Sequence, residues 1–195
     1  MSTDPTASFY TDNAAIYAAR ERRLPRQRMD AFLAALPARA TILELGCGSG
    51  QDAAYMLSRG FDVTPTDGSA ELAREAEKRL GRPVRVMRFE ALDATEIFDG
   101  IWAEASLLHV PRSALPDIFD RILRAVKTGG IFHASFKAGE ADGHDKFGRY
   151  YNYPSAVWLE AMLSARGWKN ITMTEADGGG FDGKPTRWLY VAAHK

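Results

Sequence analysis

A single cysteine among 195 residues, Cys47, leaves no internal disulfide to form, and this usage suits a reducing, cytoplasmic setting. An excess of charge of either sign is also missing. Lys plus Arg number 25 and Asp plus Glu number 25, which argues against a whole-molecule grip on nucleic acid and leaves a local basic patch open. No apolar run approaches the ~20 residues of a membrane-spanning helix. The polar opening Met1-Ser2-Thr3-Asp4-Pro5 lacks the basic end and apolar stretch of a secretory signal. The sequence offers no metal-ligand cluster, internal repeat or interdomain linker, so neither a metal nor a membrane is expected as a partner. What is present is a hydrophobic fraction of 46% over a length that suits one domain, 1–195, with a sizeable core. Two arginine-rich patches, Arg20 to Arg28 and Arg79 to Arg88, read as solvated helix faces.

The apolar run Ala40-Thr41-Ile42-Leu43 leads into Glu44-Leu45-Gly46-Cys47-Gly48-Ser49-Gly50 and then into a helical pattern starting at Gln51-Asp52. A strand runs into a glycine-rich turn and a helix. Glycines at alternate positions let the backbone turn tightly and let a ligand approach it at a helix N-terminus. Two nucleotide-binding readings fail on spacing. The hydride-transfer fingerprint G-x-G-x-x-G needs a glycine where Gln51 stands, and the phosphate loop needs a lysine that follows no suitable glycine here. Asp67 closes the next strand, 21 residues after Gly46, near the offset at which an acid accepts from ribose hydroxyls. Glu44 and Asp67 together narrow the ligand to a nucleoside.

The stretch E-L-G-C-G-S-G resembles motif I of the class I S-adenosylmethionine-dependent methyltransferases. The likeness continues in order through Val63-Thr64-Pro65-Thr66-Asp67-Gly68-Ser69, Phe98-Asp99-Gly100-Ile101-Trp102-Ala103 and Val126-Lys127-Thr128-Gly129-Gly130-Ile131-Phe132, with Thr128 in place of the usual proline. The resemblance implies a Rossmann-like, doubly wound α/β fold. Its seven-stranded sheet is mostly parallel with an antiparallel C-terminal strand and helices on both faces. It implies S-adenosyl-L-methionine as cofactor and S-adenosyl-L-homocysteine as product.

The residue pattern predicts helices over 12–22, capped by Asp12, and 25–35, then a strand over 41–45. A helix over 50–59 closed by Gly60, a strand over 62–66, and a helix over 69–80 capped by Ser69 and Gly81 follow. Further strands are expected over 84–89, 100–104 and 131–136, with a helix over 111–126 between the last two. Residues 137–153 show no periodicity, and a segment of that kind is usually functional or disordered. A helix over 154–165 and two strands near 169–175 and 187–193, joined by the turn Gly178 to Gly183, complete the chain. Residues 1–37 are read as a helical cover and 138–153 as a substrate-side loop. Trp158, Trp168 and Trp188 are expected in the core.

By the same resemblance, Gly46, Gly48 and Gly50 pass under the methionine part of the cofactor, with Cys47 a small filler among them. Glu44 either approaches the ammonium or caps backbone N–H groups of the turn. Gln51 faces the cleft, while Asp52 satisfies N–H groups at the helix start. Asp67 holds the ribose, and Gly68 and Ser69 line the same wall. Phe89 and Leu92 sandwich the adenine, unless Phe89 is core, with Glu90 or Asp93 at its polar edge and Ala91 between. Ala103, Glu104 and Ala105 run beside the methionine tail, and Tyr10 and Tyr17 close over it as a lid. On the acceptor side, His109 is the candidate catalytic residue, with Tyr150 and Arg149 from the loop to stack on or clamp an acceptor. The leading reading is methyl transfer to a small-molecule acceptor. An RNA-modifying methyltransferase and a non-catalytic protein that holds the cofactor or its product are the alternatives. Acceptor and oligomeric state stay open.

Overall fold

The computed structural model describes residues 4–181 and 183–195. Met1 to Thr3, and Asp182 within the expected C-terminal turn, lie outside the described residues. Three helices come first: α1 (Pro5–Asp12), α2 (Ala14–Ala19) and α3 (Arg26–Ala34). An alternating series follows: β1 (Thr41–Leu45), α4 (Gln51–Ser58), β2 (Asp62–Asp67), α5 (Ala70–Leu80), β3 (Arg85–Val86), β4 (Phe98–Ala103), α6 (Leu115–Ala125) and β5 (Val126–Lys137). Short 3-10 turns at Phe89–Ala91 and Leu107–His109 flank β4. A small ribbon of β6 (Gly143–His144) and β7 (Tyr150–Tyr151), then α7 (Ala156–Ser164), β8 (Lys169–Gly179) and β9 (Pro185–His194), complete the chain.

The main sheet has the order β3-β2-β1-β4-β5-β9-β8. Strands β1 to β5 pair in parallel, and β9 lies antiparallel to both β5 and β8. Alternation along each strand divides the core into two layers. On one face Met29, Phe32 and Met56, from α3 and α4, pack with Ile42, Val63 and Trp102. On the other, Ile118, Phe119, Leu159 and Leu163, from α6 and α7, pack with Leu43, Ile101, Phe132 and Phe136. Central strands buried on both faces account for the near-continuous apolar runs that betray them in sequence. Chain order reverses between β1 and β4, and a crevice opens beyond their carboxyl ends. No helix among the described residues is long and apolar enough to cross a membrane.

The start of the chain departs from expectation. Asp4, not Asp12, caps the first helix: its carboxylate accepts from Thr6 N–H (3.0 Å) and Ala7 N–H (3.4 Å), and Pro5 follows at the first helical position. Asn13 separates α1 from α2. Residues 20–25 form no helix, so the stretch Arg20 to Arg28 is a strap that enters helix α3 only at Arg26, and not the single solvated helix face expected of it. Strand β3 shrinks to two exposed residues at the sheet edge. Strand β5 begins five residues earlier than expected, at Val126. Trp168 is buried as expected, whereas Trp188 lines a cavity.

Candidate active site

The glycine turn is fixed by the two strands it bridges. The Thr66 carbonyl accepts from Gly46 N–H (2.9 Å) and Cys47 N–H (2.8 Å), and Thr66 Oγ1 donates back to the Glu44 carbonyl (2.7 Å). Gly46 has φ +77°, and a Cβ there would lie 2.5 Å from Ser106 Cβ, so only glycine fits against this residue of the loop after β4. Asp67 at the end of β2 is buried; its Oδ2 accepts from Gly48 N–H (2.8 Å) and its Oδ1 from Ser69 N–H (2.9 Å). Burial raises its pKa from 3.8 to about 6, against the opposing pull of those N–H groups. Ser69 caps α5 by accepting from Leu72 N–H at 3.3 Å.

Two cavities adjoin this turn. The smaller, about 330 Å³, is lined by Gly46, Gly48, Asp67, Gly68, Ser69, Met87, Phe89, Glu90, Ser106 and His109. The larger, about 1560 Å³, is lined by Glu44, Cys47, Gln51, Asp52, Glu104, Lys137, Tyr151 and Tyr190, with the arginine strap along it. Tyr10 and Tyr17, carried by α1 and α2, line both cavities, as do Ala105 and His109.

On the larger side Glu44 is 3% exposed, and its Oε2 has no hydrogen-bond partner. Burial pushes its pKa well up, the nearby Asp52 carboxylate adds to the rise, and Arg22 opposes it. A buried carboxylate with an orphaned oxygen is satisfied by a cationic donor. Glu104 differs: burial would raise its pKa, but His133 (3.1 Å) and Arg28 (3.1 Å) hold it down at about 2. His133 in turn stacks on Trp102, ring centres 3.9 Å apart.

His109 sits in the 3-10 turn after β4. Its Nδ1 lies 2.6 Å from the Tyr150 carbonyl, which only accepts, so Nδ1 carries the proton. Its Nε2 therefore accepts from the Tyr10 hydroxyl at 2.8 Å. Burial lowers the His109 pKa to about 4, and Arg149 and Lys137 reinforce that, so the ring is neutral at pH 7. The Tyr10 hydroxyl also accepts from Arg149 Nη1 (3.4 Å). Burial raises the Tyr10 pKa well above 10.0.

Several residues stand elsewhere than the sequence suggested. Gly50 lines neither cavity; its left-handed conformation (φ +75°) starts α4, and a Cβ there would press on Ala76 and Leu80 of α5 at 3.2 Å. Leu92 is turned into the core beneath α6, because the 3-10 turn sends it away from Phe89. That removes one side of the expected adenine sandwich and leaves Phe89 with Met87 on the cavity wall. Ala91 is exposed and Ala103 fully buried, both away from the cavities. Asp52 does not serve the helix start: its carboxylate accepts from Trp102 Nε1 (3.0 Å) and pairs with Arg22. Gln51 lines the larger cavity while donating to the Arg20 carbonyl (3.0 Å).

The loop candidates are tied down. Arg149 is 1% exposed; Nε (2.9 Å) and Nη2 (2.6 Å) donate to Asp145, and its guanidinium lies over the Phe9 and Phe181 rings. It pins the β6–β7 ribbon to α1 in place of the expected anion clamp. The Tyr150 hydroxyl donates to Asp142 (2.7 Å) and accepts from Arg112 N–H (3.3 Å); its part in the site is played by its carbonyl, which sets the His109 proton. Sequence reasoning missed Ser106, buried with an unpartnered Oγ facing Gly46, and the His133–Glu104–Arg28 cluster. A histidine amid the apolar residues of β5, level with Trp102 in β4, was the available signal for the latter. Among the described residues no group of His, Cys, Asp and Glu is placed to hold a metal ion.

Comparison with known proteins agrees with this geometry. A methyltransferase-domain family matches residues 42–130. The malonyl-[acyl-carrier protein] O-methyltransferase of Enterobacter lignolyticus is 31% identical over 122 residues, covering 60% of this chain and 48% of that protein. The chain spans about half the length of the curated relatives it matches. Among solved structures, an S-adenosylmethionine-dependent methyltransferase from Methanosarcina mazei superposes with a TM-score of 0.76 at 19% identity, covering 90% of this chain and 99% of that one. The 1,6-didemethyltoxoflavin-N1-methyltransferase of Burkholderia thailandensis, solved with bound 1,6-didemethyltoxoflavin and S-adenosylhomocysteine, gives a TM-score of 0.75 at 24% identity, covering 96% of this chain and 84% of that one. In its domain match over residues 42–130, its strand order and the glycine turn that joins β1 to α4, the chain is similar to S-adenosylmethionine-dependent methyltransferases of class I fold.

Proposed function

We propose that this chain transfers a methyl group from S-adenosylmethionine to a small-molecule acceptor. In this reading 1–195 works as one domain, with 1–37 as its cover and 138–153 on the acceptor side. The observation that carries the reading is the pair of buried carboxylates flanking the glycine turn: Asp67 on the smaller cavity, and Glu44 with an unsatisfied oxygen on the larger. Asp67 accepts from the ribose hydroxyls while keeping its two backbone donors, since each carboxylate oxygen has a second lone pair. Glu44 accepts from the methionine ammonium, and the cation returns its raised pKa toward the ordinary range. Phe89 and Met87 pack on the adenine, and Glu90 lies at its edge. S-adenosylmethionine, when bound, supplies a methyl group already made electrophilic by its sulfonium.

The protein's own task is then alignment and exclusion of water, and oriented approach supplies roughly 7–11 kcal/mol of such a barrier. Tyr10 and Tyr17 cover the turn from above. Tyr10, its hydroxyl held by the neutral His109 ring, lines both cavities, and in this reading it meets the acceptor's O–H or N–H there. The relatives described above act, by their names, on malonyl-acyl carrier protein and on 1,6-didemethyltoxoflavin, which supports a small acceptor group. The lone buried Cys47 is in keeping with a cytoplasmic enzyme. Calorimetric titration with S-adenosylhomocysteine, followed by transfer of labelled methyl groups into a small-metabolite extract and, in parallel, into bulk RNA, tests the reading. Saturable binding with labelled small products supports it; label confined to bulk RNA, or no transfer to anything, contradicts it.

A further inference from the structure

The arginine strap has no part in the cofactor chemistry above. Arg20, Arg22, Arg23, Arg26 and Arg28 all line the larger cavity, in a chain whose formal charge is zero. Two of them are neutralised by carboxylates: Arg22 by Asp52 and Arg28 by Glu104. Three are not. Arg20 donates to the Gly180 carbonyl (3.4 Å) and lies 5.1 Å over the Phe181 ring, and Arg26 lies 5.9 Å over Tyr55. Arg23 is exposed and makes no hydrogen bond, ion pair or ring contact among the described residues. Arg79 of α5 joins them, its Nε donating to the Ser49 carbonyl at 2.8 Å. Carbonyl and ring contacts orient a guanidinium without cancelling its charge.

The acids on the same wall do not offset this excess. Asp52 and Glu104 are already paired, Asp177 pairs with Arg187, and Glu44 is buried beside the glycine turn. Glu21 is left, a single exposed carboxylate among four uncompensated arginines. Lys137 adds a further cation at the inner end, its Nζ 4.0 Å from the Tyr151 ring centre. A cavity lined by one sign of charge focuses the field and raises the local concentration of the opposite ion. Guanidinium groups match carboxylate and phosphate in planar, two-pronged geometry.

We infer that the methyl acceptor carries an anionic group, a carboxylate or phosphate, and that Arg23 of the strap is its direct partner. The inference rests on the methyltransferase reading, and it places the acceptor in the larger cavity beyond the methionine ammonium at Glu44. Tyr151, Trp188 and Tyr190 supply apolar walls for the rest of the molecule. The test uses protein saturated with S-adenosylhomocysteine and three probes of like shape: benzoate, phenyl phosphate and uncharged benzamide. Expected are binding of one or both anions, benzamide at least about tenfold weaker, and loss of roughly tenfold or more in anion affinity in R23E. R23Q should fall between the two, rising salt should weaken the anions alone, and affinity for S-adenosylhomocysteine should be unchanged in both variants. The ratio of the two anions tells carboxylate from phosphate. Equal binding of benzoate and benzamide, no anion binding, or anion affinity untouched in R23E overturns the inference while leaving the cofactor reading standing. Failure of wild-type protein to bind S-adenosylhomocysteine in the first step overturns both.

Discussion

Replacing Asp67 with asparagine changes one atom where β2 meets the glycine turn. In the native site each carboxylate oxygen takes one backbone N–H, Ser69 at 2.9 Å and Gly48 at 2.8 Å. Asparagine offers one oxygen and one NH2, so one of those backbone donors comes to face another donor. A buried donor left unpaired costs about 1–3 kcal/mol. The charge works the other way: burial lifts the Asp67 pKa to about 6, so the ionised carboxylate weighs against the folded state at neutral pH and the amide relieves that penalty. The two effects oppose, and stability should move little. Binding has no such offset. Hydrogen bonds to a charged group are worth about 1.5–3 kcal/mol each. Losing the charge that both ribose hydroxyls meet should weaken S-adenosylhomocysteine by roughly 3 kcal/mol, on the order of a hundredfold. Calorimetry at pH 8 reads this directly, and a D67N affinity within about threefold of wild type, under 1 kcal/mol, refutes the ribose assignment.

The same carboxylate sets a pH dependence with opposite signs for stability and for binding. Because the folded-state pKa is raised, the stability from Asp67 is fully present below its ordinary 3.8 and is lost as pH rises through about 6. Ligand binding uses the ionised form. Affinity for S-adenosylhomocysteine should therefore be flat above neutrality and fall about tenfold per pH unit below about 6. D67N should lose the part of that fall that Asp67 carries and keep any that Glu44 carries, and an unchanged profile in the variant would take the inflection away from Asp67.

The remaining expectations are structural. Tyr10→Phe strands the His109 Nε2 that now accepts at 2.8 Å. Methyl transfer should slow, and melting should drop by roughly 2–4 °C for each kcal/mol lost; an unchanged rate would remove Tyr10 from the acceptor's path. Gly46→Ala places a Cβ 2.5 Å from Ser106 Cβ at φ +77°, so cofactor binding should vanish, and a second substitution, Ser106→Gly, should restore part of it. No recovery in the double variant would point to backbone strain alone. Arg149→Met breaks a buried pair with Asp145 and should cost about 3–5 kcal/mol, with hydrogen exchange rising first in 143–151 and α1. Exchange rising equally throughout the molecule would show that Arg149 does not pin that ribbon.

The parts of the site legible in the sequence are those that the backbone itself dictates. Gly46 and Gly48, the Ser69 cap, Gly81 and the bounds of β1 follow from local conformation, and the structure has each at its expected position. Asp67 was placed by its offset from the turn. What stayed hidden depends on contacts between distant segments. Arg22 meets Asp52, and Glu104 meets both Arg28 and His133, across different elements, so no spacing announces them. Phe89 and Leu92 look equivalent in sequence, and the 3-10 turn between them sends one to the cavity and the other to the core. Arg149 reads as a free loop cation because its partner Asp145 is recruited by a turn that sequence periodicity does not reveal. The short break at Asn13 had no glycine or proline to mark it.

Titration of the purified chain with S-adenosylhomocysteine, wild type beside D67N, bears most directly on a nucleoside lying across the glycine turn and held by Asp67. Saturable one-to-one binding in the micromolar range, weakened on the order of a hundredfold in the variant, is the predicted result. No binding at millimolar ligand, or equal affinity in the two proteins, would contradict it.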